Sequence, residues 1–174
     1  MSNRCKGAFG AIWFKVAMRS AVCLMNFVAW YLINYELIEY WINPMDKFIM
    51  KFIVSTLAIM IFLSFSTAVM RKIPEIPIQR DPELMKSQCW KCKEWHNREN
   101  CWKPERTKHC STSKQCVPLM DHYCPWVGNC IGYHNLKPFI CYVTYQSIAT
   151  GTAIVLIIQR IVWKFKSCHQ DQCI

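Results

Sequence analysis

Asp121, His122 and Cys124 place a carboxylate, an imidazole and a thiol within one short stretch of the sequence. A thiol with an unperturbed pKa of about 8.5 is mostly protonated at neutral pH, so it needs a base before it can act as a nucleophile. In an extended segment residues i and i+2 point to the same side, which lets His122 accept the proton of Cys124. Asp121 would accept the other ring N–H and fix the tautomer. The pattern is therefore compatible with catalysis by a cysteine nucleophile.

The same side chains also suit a metal site. Histidine and cysteine are common zinc ligands, so His122 and Cys124 are equally compatible with coordination. On the pattern alone, the nucleophile and the metal-ligand interpretations both stay open.

A second group of cysteines, with one histidine, has the spacing of zinc ligands. Two residues separate Cys89 from Cys92, as in a zinc knuckle, whose tight turn directs both sulfurs at one tetrahedral ion. His109 and Cys116 complete a Cys3His set, in which metal binding would supply folding free energy. Free cysteines in a cytosolic loop are the alternative, but long structureless loops are uncommon.

Three apolar runs lie around these residues and are long enough to cross a membrane. The predicted transmembrane segments are residues 20–42, 48–70 and 138–163. The composition agrees, because 53% of the chain is hydrophobic although its formal net charge is +10. The apolar residues lie in the runs and the basic residues lie between them, as in a membrane protein with a basic water-exposed segment.

The fold class predicted from this arrangement is an α-helical membrane protein. Residues 1–19 are expected to form a cytosolic N-terminus, and residues 71–137 a zinc-stabilised, cysteine-rich cytosolic module between the second and third helices. Residues 164–174 would be a tail. The orientation follows from the positive-inside rule, since both predicted cytosolic segments are basic and the 36–47 connection is acidic. The cytosol keeps thiols reduced, which favours metal over disulfides.

Residues 89–139 contain a series of short motifs. In chain order they are Lys103-Pro104-Glu105-Arg106, His109-Cys110, Cys116, the run DHYCPWVGNCIG at 121–132, and Asn135 followed by Phe139. The series resembles the cysteine-rich domain of the DHHC protein S-acyltransferases, also called palmitoyltransferases. Two predicted spans before this stretch and one after it also agree with that family.

The resemblance implies a two-step acyl transfer. Cys124 would attack the thioester of palmitoyl-CoA or another long-chain acyl-CoA, and would then pass the acyl group to a cysteine of a substrate protein. His122 would be the general base and Asp121 would orient it. Exchange between thioesters is nearly isoenergetic, so a reactive thiolate and good positioning suffice. The resemblance therefore favours the nucleophile interpretation of Cys124.

Two positions depart from the family pattern of Asp-His-His-Cys with two Cys3His zinc sites. Tyr123 replaces the second histidine and Ser113 replaces a cysteine. Mapped onto the family, the first zinc site is filled by Cys89, Cys92, His109 and Cys116. The second keeps only Cys110 and Cys130, and two thiolates alone hold zinc poorly. One zinc ion is expected, with Tyr123 and Trp126 packing near the remaining pair.

The family normally continues into a fourth span, a Thr-Thr-x-Glu motif and a C-terminal aromatic element, which are not found in this sequence. An alternative hypothesis is therefore a truncated relative, catalytically weak or inactive, that acts as a zinc-stabilised membrane interaction module. A membrane thiol-redox protein is a third idea. Cys89 and Cys92 are the only pair suited to it, and no thioredoxin-like strand–helix pattern surrounds them.

The expected partners are membrane lipid, a long-chain acyl-CoA and cysteine-containing substrate proteins, with no nucleic acid. Arg106, Lys108 and Lys137 could attract the phosphates of CoA, although each is more simply explained as a solvated charge. No cofactor-binding residue is assigned. The expected location is a multi-pass position in the endoplasmic reticulum or Golgi membrane rather than the plasma membrane, with the active site facing the cytosol.

Overall fold

The structure is a computed structural model that describes residues 3–40, 43–74, 85–89, 91 and 102–171. Its α-helices are α1 (Asn3–Leu32), α2 (Pro44–Met70) and α3 (Leu136–Asp171). After α1 the chain continues through a π-helical turn at Ile33–Leu37 and a 3-10 turn at Ile38–Tyr40. Most of the described residues are therefore helical.

Three helical segments are long and apolar enough to cross a membrane. They are Ile12–Leu37, Pro44–Met70 and Leu136–Cys168. Each exposes large apolar side chains, for example Phe27, Phe52 and Ile158, as expected of surfaces that lipid would cover. The predicted fold class is confirmed: a helical chain with three candidate spans and a cysteine- and histidine-rich module between the second and third.

The chain divides into two compact units. Met1–Ser20 and Phe65–Ile140 form the first, which we call the site unit because it contains the candidate chemistry. Ala21–Ser64 and Cys141–Ile174 form the second, the helical unit.

The helical unit has a small apolar core with polar contacts beside it. The core residues are Ile33, Ile38, Val54 and Leu156. The indole Nε1 of Trp30 donates to Ser55 Oγ at 3.2 Å, and Arg160 Nη1 donates to the carbonyl oxygen of Glu36 at 2.7 Å. In an apolar surrounding such bonds satisfy groups that lipid could not solvate.

The strands of the site unit form small antiparallel pairs. The strands described are β1 (Met85–Gln88), β2 (Trp102–Pro104), β3 (Lys108–Cys110), β4 (Gln115–Val117), β5 (Tyr123–Cys124) and β6 (Asn129–Cys130). They pair as β1–β2, β3–β4 and β5–β6. Two-stranded sheets are marginally stable on their own, so side-chain clusters must hold these pairs in place.

Asn135 connects three segments of the site unit. Its side chain is completely buried, and its Nδ2 donates to the carbonyl oxygens of Ala68 in α2 at 3.2 Å and of Cys130 in β6 at 3.1 Å. Its Oδ1 accepts the Gly132 N–H at 3.0 Å. One amide thus joins the end of α2, the β5–β6 pair and the segment that enters α3.

Arg71, just after α2, adds a second connection to the same region. Its Nη1 donates to the carbonyl oxygen of His134 at 3.0 Å, and its own carbonyl oxygen accepts from Asn129 Nδ2 at 2.9 Å. The β5–β6 pair is therefore attached to the end of α2 through both Asn129 and Asn135.

Replacement of Asn135 by leucine is expected to destabilise the protein by about 2–5 kcal/mol, because each buried group left without a partner costs about 1–3 kcal/mol. Thermal unfolding of the full chain in detergent micelles measures the change. Asn26→Leu is the matched control, since Asn26 Nδ2 donates only to Val22 O within its own helix, at 2.8 Å. Equal losses in the two variants would contradict a connecting role for Asn135.

Candidate active site and metal centre

The β5–β6 pair and its flanking residues carry the three candidate catalytic side chains. The backbone N–H of Asp121 donates to Ile131 O at 2.9 Å, and the N–H of Ile131 donates to His122 O at 2.8 Å. Cys124 lies opposite Asn129 in the strand register. These backbone bonds hold the extended geometry that the sequence predicted for residues 121–124.

Asp121 and His122 are in direct contact. Nδ1 of His122 lies 3.0 Å from Oδ2 of Asp121, and both side chains are substantially exposed. A carboxylate at Nδ1 keeps the proton on that nitrogen, which leaves Nε2 as the proton acceptor. The imidazole also contacts the ring of Phe139 in α3, with ring centroids 5.5 Å apart and the two planes at 65°. The imidazole is therefore oriented by one polar and one aromatic neighbour.

Cys124 is buried, with 7% of its surface exposed. It lies in β5, and His122 directly precedes that strand, but the imidazole and the thiol are not hydrogen-bonded to each other in the structure. Catalytic hydrogen bonds are often long before substrate binds and shorten in the complex. The structure thus shows a direct side-chain contact between Asp121 and His122. Cys124 is close to them in the chain, but its side chain makes no hydrogen bond with either.

The turn after Cys124 is bonded to α1. Arg19 Nε donates to Val127 O at 2.9 Å, and Arg19 Nη2 donates to Gly128 O at 3.3 Å. Gly128 has a φ of 65°, and its N–H donates back to Cys124 O at 2.8 Å. The sequence pattern counted Arg19 only as one of the basic residues of the N-terminus. A cation at the edge of an apolar run was the one available signal that it has a partner.

Cys89, His109 and Cys116 form a separate cluster of donor atoms. The β3–β4 register places His109 opposite Cys116, so their side chains share a face. Nδ1 of His109 lies 3.5 Å from the sulfur of Cys89 and 3.7 Å from that of Cys116, and the three donor atoms lie within 4.8 Å of one another.

The spacing of this cluster fits a tetrahedral metal ion. Zinc–sulfur bonds of about 2.3 Å and zinc–nitrogen bonds of about 2.0 Å at the tetrahedral angle separate the two ligand atoms by about 3.5 Å. Cys89, His109 and Cys116 can therefore hold a metal. Cys92, the predicted fourth ligand, lies outside the described residues.

Cys110 and Cys130 lie together on the other face of the β3–β4 pair. Both are buried, with Val117 in the same cluster and Tyr123 packed against it. Ser113 joins them, since its N–H donates to Cys110 Sγ at 3.4 Å and its Oγ lies 3.3 Å from Cys130 Sγ. Ser113 and Tyr123, the two departures from the family pattern, thus both adjoin this pair. Trp126 is half exposed.

In this second cluster, Ser113 is hydrogen-bonded to both sulfurs. Burial opposes ionisation of Cys110, but hydrogen bonds from Cys130 and Ser113 outweigh it and lower the pKa of Cys110. Burial, together with the hydrogen bond to Cys110, raises the pKa of Cys130. Two sulfurs beside a serine and a tyrosine do not fit a structural zinc ion, which needs four strong ligands.

Comparison with known protein families identifies the domain that contains these residues. The family model described as DHHC palmitoyltransferase matches residues 89–174. The chain carries a DHHC palmitoyltransferase domain. The match includes both cysteine clusters, Asp121, His122 and Cys124, so the resemblance predicted from the motifs is confirmed.

Curated relatives of the DHHC domain are palmitoyltransferases from fungi and vertebrates. The chain is 48% identical over 60 residues to palmitoyltransferase PFA3 of Candida albicans, covering 34% of this chain and 14% of that protein. It is 39% identical over 69 residues to palmitoyltransferase ZDHHC3-A of Danio rerio, covering 40% and 21%. It is 45% identical over 56 residues to palmitoyltransferase ZDHHC7 of Mus musculus, covering 32% and 18%. The matched part is thus about a fifth or less of each relative.

Proposed function

We propose that the protein is a protein-cysteine S-palmitoyltransferase. The contact between Asp121 and His122 beside Cys124, within a DHHC domain, carries this proposal. The relatives' printed names support it, since all those given above are palmitoyltransferases.

In the first step His122 Nε2 takes the proton of the Cys124 thiol. The thiolate attacks the carbonyl carbon of a long-chain acyl-CoA, such as palmitoyl-CoA, and forms a new sulfur–acyl bond. The carbon–sulfur bond to CoA breaks, and the proton held by His122 passes to the departing CoA thiolate. Asp121 keeps the ring in the required tautomer and stabilises the transient imidazolium.

In the second step the thiol of a substrate protein's cysteine takes the place of the acyl-CoA. His122 accepts its proton, the new thiolate attacks acyl-Cys124, and the acyl group is transferred. The proton then returns to Cys124, which regenerates the enzyme. No net charge accumulates over the cycle, so positioning supplies most of the rate acceleration.

The partners of this reaction are lipid, acyl-CoA and cysteine-containing proteins. The helix α3, a candidate membrane span, begins at Leu136, a few residues after the site. The acyl chain can therefore remain in the bilayer while its thioester reacts with Cys124. Arg106, Lys108 and Lys137 are all exposed and supply positive charge for the phosphates of CoA.

We assign one zinc ion to the protein, held by Cys89, Cys92, His109 and Cys116. Its contribution is folding free energy rather than chemistry. The domain limits derived from the sequence, a cytosolic active site, and residence in the endoplasmic reticulum or Golgi complete the proposal. The basic charge of residues 1–19 and 71–137 supports that orientation.

Cys124→Ser is expected to abolish thioester-linked acylation of the protein, because a hydroxyl does not replace the thiolate as the acyl acceptor. Incubation with a radiolabelled or alkyne-tagged palmitoyl-CoA, followed by hydroxylamine treatment, measures the thioester. Cys141→Ser is the matched control, since Cys141 is exposed and lies in α3. Label that persists in Cys124→Ser and disappears in Cys141→Ser would contradict the assignment. An unlabelled wild-type protein that still holds zinc would indicate the non-catalytic interaction module.

A further inference from the structure

The turn between Cys124 and β6 depends on a side chain far away in the sequence. Gly128 N–H donates to Cys124 O at 2.8 Å and to Pro125 O at 3.1 Å, which closes the turn. Val127 in this turn is almost completely buried. The carbonyl oxygens of Val127 and Gly128 both accept from Arg19.

The guanidinium of Arg19 is suited to this contact. Two of its nitrogens donate to two successive carbonyl oxygens, and the planar fork holds both bonds in one orientation. A charged donor also makes a stronger hydrogen bond than a neutral one. The two bonds therefore fix both the distance and the orientation of the turn relative to Arg19 in α1.

The location of Arg19 argues against an incidental surface contact. It is half-buried at the basic end of the apolar segment Ile12–Leu37, where a charge close to apolar surface needs a polar partner. Lys15 precedes it by one helical turn on the same face, and the site of a Cβ on Gly128 would lie 3.1 Å from Arg19 Nη2 and 3.2 Å from Lys15 Cγ. This face of α1 is closely packed on the turn.

We propose that Arg19 is a positioning residue for Cys124, acting through the Val127–Gly128 turn. Its effect on catalysis rests on the acyl transfer proposed for this site. The guanidinium donates to the carbonyl oxygens of Val127 and Gly128, so it sets where the nucleophile lies and leaves proton transfer to His122. Displacement of a reacting atom by about 1 Å can cost about 100-fold in rate. Loss of the Arg19 contact is therefore expected to lower the rate of Cys124 acylation measurably.

The test compares Arg19→Gln, Arg19→Lys and Arg160→Gln in the full chain in lipid nanodiscs. Arg160 is the matched control, because it also donates to a backbone carbonyl oxygen but lies in the helical unit. Arg19→Gln is expected to lower kcat for acylation of Cys124 by about tenfold or more, with KM for palmitoyl-CoA within about twofold. Arg19→Lys restores part of the rate, because it keeps one charged donor but not the fork. Arg160→Gln stays at the wild-type rate.

A second readout does not require acylation. Alkylation of Cys124 by iodoacetamide is expected to be about fivefold faster in Arg19→Gln, because the loosened turn uncovers the thiol. Cys110 and Cys130 serve as internal references and stay protected, which separates local loosening from unfolding. If the wild-type protein does not acylate, this measurement still decides the role of Arg19. If Arg19→Gln does not fold, Arg19→Lys takes its place in both assays. Wild-type kcat and wild-type Cys124 alkylation in Arg19→Gln, or equal losses in Arg160→Gln, would overturn the proposal.

Discussion

Replacement of His122 by alanine is expected to slow acylation of Cys124 by about 10²–10⁴-fold, the usual contribution of a general base. The physical reason is the proton of the thiol, which must leave before sulfur can attack. The effect is measured by quenching the reaction at short times and determining the amount of acyl-enzyme formed at saturating palmitoyl-CoA. Hydroxide takes over proton removal as the pH rises, so the deficit of the variant is expected to shrink at alkaline pH.

Asp121→Asn separates the orienting role from the basic role. The amide can present its NH₂ group to Nδ1 and so favour the tautomer with the proton on Nε2, which can no longer accept from the thiol. A loss smaller than that of His122→Ala is expected. Asp46→Asn, which removes a carboxylate in the first turn of α2, is the control for charge alone. A rate in His122→Ala within about threefold of wild type would refute the general-base assignment.

Removal of the metal is expected to unfold the part of the site unit around β3 and β4. Structural zinc sites contribute about 10–16 kcal/mol of apparent binding free energy in small domains, and two-stranded sheets do not replace it. His109→Ala is expected to abolish zinc binding by the cluster of Cys89, His109 and Cys116, and with it the cooperative thermal transition of this region. Elemental analysis gives the zinc content, and hydrogen exchange of residues 108–117 gives the local stability.

The number of zinc ions tests the second cluster as well. Wild-type protein is expected to bind about one zinc ion per chain, because the sequence supplies one Cys3His set in Cys89, Cys92, His109 and Cys116, whereas the described residues around Cys110 and Cys130 offer two thiols. The double substitution Ser113→Cys with Tyr123→His rebuilds a Cys3His set with Cys110 and Cys130, and is expected to raise the content to about two. A wild-type content near two would show that the second cluster binds metal after all. A content near zero would remove the zinc assignment of the first.

The parts of the site that sequence predicted are those set by local spacing. His109 and Cys116 come together because they face each other across one hairpin, and Asp121 meets His122 because they are neighbours. The three candidate membrane segments were also predictable, since a run of about twenty apolar residues is the length that a helix needs to cross a bilayer. In each case the information lies within a few residues of the chain.

The contacts that sequence did not predict join distant segments. Arg19 and Val127 are separated by 108 positions, and no periodicity links them. Ser113 was recognised as a missing metal ligand, but its bonds to Cys110 and Cys130 depend on how two hairpins pack. The position of Trp126 likewise follows from the packed structure, since a tryptophan in a motif is compatible with burial or exposure.

The three hydrogen bonds of Asn135 have a mechanical consequence. A single amide holds the end of α2, the strand opposite Cys124 and the entry to α3 at fixed separations. A sideways shift between the two helices breaks at least one of these bonds or carries the strand with it. Within the site unit, these bonds couple the position of β6, and so of the strand pair that carries Cys124, to the end of α2 and the entry to α3.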